Sequence, residues 1–188
     1  MRSQPAASRA HTRSGSHRAP IARLILVALV LMLATGFRFA RIDHQSLWYD
    51  EGNSARAAER PIAQIVRDSA RDIHPPGYYV LLAGWQDLTG SSELALRMFS
   101  ALLGVLSVAL VYAIGARLFS RSTGVLAALF AAVNPFQVWY AQEARMYALL
   151  GALSAASVLL TISILTIPRD MAAGRSSPRR AGPLILSL

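Results

Sequence analysis

Four stretches of this chain, residues 21–40, 97–117, 123–141 and 147–167, are apolar over about twenty residues each. No other feature restricts the fold as strongly. About twenty helical residues, rising 1.5 Å each, cross a hydrocarbon layer of about 30 Å. The chain is therefore expected to be all-α, a polytopic transmembrane helical protein. Composition agrees: with 54% hydrophobic and 15% charged residues, 188 residues lack the polar surface of a soluble domain. There is no cysteine, which excludes disulfides and thiolate metal sites.

The formal charge of +9 raises the question of nucleic acid, but all 19 basic residues are arginine and they fall in short segments between apolar runs. That distribution is a topology signal, and nucleic acid is not an expected partner. An Ala-, Leu- and Arg-rich chain without lysine points to a GC-rich bacterial source, and so to a bacterial plasma membrane. Residues 1–20 are Ser-, Pro- and Arg-rich without apolar period, and are expected to form a disordered basic cytoplasmic tail. A signal peptide is the alternative for residues 1–40. The run is longer than a usual signal core, however, and no small-x-small cleavage site follows it.

A fifth apolar segment, residues 77–89, would reach only about 20 Å as a helix and is too short to cross alone. Arginine placement decides its status. If it does not cross, the inner side holds Arg2, Arg9, Arg13, Arg18, Arg23, Arg117, Arg121, Arg169, Arg175, Arg179 and Arg180, with Asp170 as the sole inner acid. If it crosses, the last six of those arginines move outside and the inner excess is lost. The expected organisation is a membrane domain over 21–167, amino terminus cytoplasmic, with residues 41–96 as an outer loop. Residues 168–182 form a basic cytoplasmic loop, and 183–188 open a further span cut off at Leu188. Residues 77–89 then rest in the outer leaflet, with Tyr78, Tyr79 and Trp85 at the interface. Ala55, Ala58, Ile62, Ile65, Val66 and Ser69 recur at helical spacing and predict two short amphipathic surface helices, the second starting at Pro61. A hairpin standing off the membrane is the alternative.

Three clusters then share the outer face: Asp50-Glu51, "DIHPPGYY" over 72–79, and "NPFQVWYAQEARMYALL" over 134–150. Ionisable groups at membrane depth are costly and mark functional sites more often than chance. Neighbouring acids on a helix point about 100° apart, so Asp50 can address a reactant as general base while Glu51 holds something else. The plainer alternative is two acids at a helix start, favoured by the helix dipole. His74-Pro75-Pro76 is a rigid extended segment, in which His74 either binds a metal or phosphate or merely occupies a corner. Pro135 should end or kink its span. Glu143 and Arg145, two apart, cannot pair on a helix. They are either an ordinary interfacial pair or partners of the outer loop, where Arg145 suits a phosphate oxygen.

Taken in order, the acid pair, "HPPGYYVLLAGW", "SSELALRMFSALLGVLSVALVYAIGARLF" and "NPFQVWYAQEARMYALL" resemble the amino-terminal part of the GT-C membrane glycosyltransferases. The similarity lies nearest the bacterial branch of protein O-mannosyltransferases and lipid A aminoarabinose transferases, over roughly residues 21–167. The resemblance implies a polyprenyl-phosphate-linked hexose or pentose as donor, a lipid, glycan or protein acceptor, and inverting transfer on the outer face. It makes Asp50 the base, with Glu51 as its catalytic partner. Arg145, with His74 or Arg71, would steady the phosphate. Tyr140, Glu51 and Glu143 would hold substrate, and Glu51, His74 and Glu143 are the candidates for a divalent cation where relatives use one. Many relatives carry an aspartate about five residues beyond the position of Arg145; this chain reads "MYALL" there. The family's later spans and carboxy-terminal portion are absent, so the 188 residues are expected to be one part of the enzyme. A transporter or flippase of lipid-linked glycans is the competing reading. It would favour ionisable groups at mid-membrane, and the interiors of 97–117 and 123–133 contain none.

Overall fold

A computed structural model describes residues 18–71 and 74–166. The expected tail over 1–20 lies largely outside the described residues, and the segments 168–182 and 183–188 lie wholly outside them. Within the described residues the chain is all α-helix, with no strand.

The first helix, α1 (Arg18–Phe39), is apolar and stops where Arg41 takes a left-handed backbone conformation with φ 59°. Two short helices follow, α2 (Tyr49–Ala58) and α3 (Ile62–Ser69). Pro61 sits at the N-cap of α3, a position where a missing N–H costs nothing. Next, α4 (Gly77–Thr89) is a single helix of 13 residues that ends at Gly90, whose φ of 86° suits glycine.

The longest helix, α5 (Glu93–Leu118), is capped by the Ser92 hydroxyl, which accepts from the Ala95 N–H. Ser120 caps α6 (Arg121–Val133) in the same way, accepting from Thr123. Pro135 breaks the fourth apolar run as expected: α6 and α7 (Pro135–Ala141) meet at a bend of 61°. The last described helix is α8 (Tyr147–Leu165). By length and apolarity α1, α5 and α8 can each cross a membrane, and α6 with α7 forms a fourth, bent, candidate. The chain is an all-α polytopic membrane protein.

Two cores hold it together. One joins α1, α5 and α6 through Val30, Ala34, Val108, Tyr112, Val125, Ala128 and Ala132. Small residues allow the closest approach there: a Cβ added at Gly115 would lie 2.9 Å from the Gly124 Cα. The second core gathers α2, α3 and α4 onto α5 and α8 through Ala58, Ile65, Tyr78, Leu82, Leu96 and Leu149. Met32, Leu153, Leu160 and Ile164 point away from both cores and stay exposed, the arrangement of helices whose solvent is hydrocarbon.

Candidate functional site

Asp50 and Glu51 both fall in the first turn of α2, and the fold sends them to opposite fates. Glu51 is 1% exposed and fully committed. Its Oε1 accepts from Arg97 Nε at 2.9 Å and from the Ala144 backbone N–H at 2.8 Å. Its Oε2 accepts from Arg97 Nη2 at 2.7 Å and from the Trp48 N–H at 3.3 Å. The last contact caps the start of α2, because the Glu51 side chain reaches back to the N–H of the N-cap residue. Arg97 is also buried. Its remaining donors reach the carbonyls of Ile42 at 2.9 Å, Gln45 at 2.7 Å and Ser46 at 3.2 Å. One forked ion pair thus ties the segment after α1, the start of α2, the second turn of α5 and the α7–α8 joint into one point.

Asp50, about 100° round the helix, keeps 35% of its side chain exposed. Its Oδ2 lies 3.5 Å from Arg145 Nη1, which also donates to the Asp50 carbonyl at 3.4 Å. Arg145 is buried, with its guanidinium 5.7 Å from the Tyr147 ring centre. Its Nε, also buried, makes no hydrogen bond among the described residues. The Ser100 hydroxyl donates to the Arg145 carbonyl at 3.3 Å and fixes the backbone behind it. Glu143 and Arg145 do not pair with each other's side chain within hydrogen-bond reach; each addresses a different part of the site.

Beside this junction lies a cleft of about 430 Å³, lined by Gln45, Trp48, Glu51, Arg97, Trp139, Tyr140, Gln142, Glu143 and Tyr147. Its lining combines four aromatic rings, those of Trp48, Trp139, Tyr140 and Tyr147, with the Glu51–Arg97 ion pair. Tyr140 packs edge-on against Phe136 at 4.6 Å and against Tyr147 at 4.5 Å. Burial pushes the Glu143 carboxyl above the usual carboxylate range, reinforced by Glu51 and Asp50 and opposed by the Trp139 hydrogen bond and Arg145. Behind the Tyr140–Tyr147 pair is a second cavity of about 430 Å³, largely apolar, bounded by Arg38 of α1 and by α5, α7 and α8 and sharing those two tyrosines.

Of the residues expected from the sequence, Glu51, Tyr140 and Glu143 line the cleft, and Asp50 and Arg145 stand beside it, paired with each other. Arg71, exposed, and His74, half-buried, sit at the α3–α4 corner and are not among the residues lining the cleft. Among the described residues no three of His, Asp and Glu gather as metal ligands. Glu51 already accepts four hydrogen bonds, and of the three candidate ligands Glu51 and Glu143 line the cleft while His74 does not. Sequence reasoning missed Arg97, taken as the first residue of a span. A charged residue at the very start of an apolar run was the signal for it.

A family model, dolichyl-phosphate-mannose-protein mannosyltransferase, matches residues 73–172, just over half the chain. The match runs from the α3–α4 corner through α8 and includes Arg97, Tyr140, Glu143 and Arg145, while the acid pair precedes it. No curated protein and no solved structure is significantly similar. An all-α membrane bundle whose α4–α8 region matches this family throughout belongs with it: the chain is a member of the dolichyl-phosphate-mannose-protein mannosyltransferase family, membrane glycosyltransferases of the GT-C type.

Proposed function

We propose that the chain carries the catalytic part of a glycosyltransferase that takes a sugar from a polyprenyl-phosphate donor and inverts the anomeric carbon. The observation that carries this reading is the half-exposed Asp50, held against Arg145 beside an aromatic cleft by the Glu51–Arg97 clamp. Asp50 takes the proton of the acceptor hydroxyl, and the freed oxygen attacks C1 of the sugar from the face opposite the phosphate. The C1–O bond to phosphate breaks, and its electron pair leaves with the lipid phosphate. Arg145, whose Nε has no partner among the described residues, stabilises that leaving charge. Trp48, Trp139 and Tyr140 offer flat faces to a sugar ring, and Glu143 a hydrogen-bonding group to its hydroxyls. The apolar cavity behind Tyr140 and Tyr147 suits the first isoprene units of the donor. Glu51 acts through position, by holding Asp50 in place.

The site faces the outside of a plasma membrane, with the amino terminus in the cytoplasm. Contact of Glu51 and Asp50 with residues 144 and 145 supports placing the loop and the α7–α8 joint on one side, and the arginine count makes that side the outer one. The test is transfer from a radiolabelled polyprenyl-phosphate mannose by membranes containing the protein. The product should carry the anomeric configuration opposite to the donor's. A product that retains the donor's configuration, or no transfer from any polyprenyl-phosphate sugar, would defeat the proposal.

A further inference from the structure

The bend between α6 and α7 exposes a problem that a residue 97 positions earlier solves. In an unbroken helix the N–H of residue 135 would donate to the carbonyl of Ala131, and that of residue 136 to Ala132. Pro135 has no N–H, and the 61° turn carries Phe136 away. Two carbonyls are thereby left without helix donors inside the bundle, where each unsatisfied group is costly. Arg38, fully buried near the end of α1, supplies the missing donors. Its Nη2 donates to the Ala131 carbonyl at 3.2 Å and its Nη1 to Ala132 at 3.1 Å, as well as to Ala34 in its own helix at 3.2 Å.

The same end of α1 grips the far end of α7. Gln142, one residue past α7, donates through Nε2 to the carbonyls of Phe37 at 2.9 Å and Ala40 at 3.1 Å. Gly104 on α5 leaves the room: a Cβ there would lie 2.8 Å from Arg38 Nε and 2.7 Å from the Ala141 Cβ. Between these two latches α7 carries Trp139 and Tyr140, one wall of the cleft. We infer that Arg38 is a positioning residue. It substitutes for the N–H that Pro135 lacks, fixes the α6–α7 bend and, with Gln142, places the aromatic wall beside Asp50. Arg38 is not among the residues lining the cleft and has no hydrogen bond to the acid pair, so it acts on the cleft through α7, while it also borders the apolar cavity behind Tyr140 and Tyr147. The structural part stands on the fold alone; the part that concerns transfer rests on the function proposed above.

Because the chain has no cysteine, spin labels at Leu126→Cys on α6 and Gln137→Cys on α7, both exposed, report the bend directly. The membrane-embedded protein should give one narrow interlabel distance. Arg38→Met should broaden it, and an unchanged narrow distance would overturn the inference. Should Arg38→Met fail to fold, Gly104→Ala presses on Arg38 and Ala141 without removing a charge. It should shift the distance, and an unshifted one would count equally against the role of Arg38. Adding Pro135→Ala to Arg38→Met returns a donor to Ala131 but favours a straight helix. Unfolding temperature should recover while the labels move apart and transfer stays down on the order of a hundredfold. Recovery of temperature and transfer together would make Arg38 a stabiliser only, against the proposal. If the wild type transfers nothing, the proposed function fails, and the label distances alone decide the role of Arg38.

Discussion

Arg97 carries more of the site's architecture than either acid, because its guanidinium meets one carboxylate and three carbonyls from segments about fifty residues away. Removing one partner of a buried pair leaves an uncompensated charge. Arg97→Met should therefore destabilise the fold by about 3–5 kcal/mol, read from thermal or denaturant unfolding in detergent. A loss below about 1 kcal/mol would show a pair worth no more than a surface one. Glu143 gives a test of sign. Burial holds its carboxyl above the usual range, so ionisation costs the folded state. The penalty is absent below about pH 4, where the group is protonated folded or unfolded. It grows as pH rises through the folded pKa. Glu143→Gln should raise the unfolding temperature near neutral pH and lose that advantage near pH 4. An equal gain at both pH values would trace it to packing instead. At this scale the sequence was half legible. Asp50, Glu143 and Arg145 stood out as ionisable groups beside apolar runs. That Glu51 caps and clamps, leaving Asp50 half-exposed, depends on Arg97 and Ala144, which local sequence does not connect to it.

Elements were more legible than residues. Apolar length located α1, α5 and α8, helical spacing located α2 and α3, and Pro135 marked the break between α6 and α7. Hydrophobic periodicity reports the local chain, and each of these follows from local chain. What it could not report was pairing. The contact of α5 with α6 depends on Gly115 and Gly124 facing each other, where a Cβ at 124 would lie 2.6 Å from the Tyr112 carbonyl oxygen. Backbone cannot yield as a flexible side chain does. Gly124→Ala should part the two helices and cost about 1–3 kcal/mol. A variant as stable as the wild type would mean that this contact is looser than the structure has it.

For the whole molecule, the organising question is which side of the membrane holds the cleft. The second core, the clamp and the aromatic walls all lie where α2, α4, the start of α5 and the α7–α8 joint meet. On the arginine count that place is outside. A cysteine at Thr89, the last residue of α4 and exposed, should react with a membrane-impermeant maleimide applied from outside. Labelling only after the cytoplasmic side is opened would invert the orientation. The central claim, that Asp50 is the base of a sugar transfer, is tested most directly by Asp50→Asn. With membrane insertion and unfolding temperature unchanged, transfer from a polyprenyl-phosphate sugar should fall by about 10²–10⁴-fold. Turnover within a few-fold of wild type would contradict it.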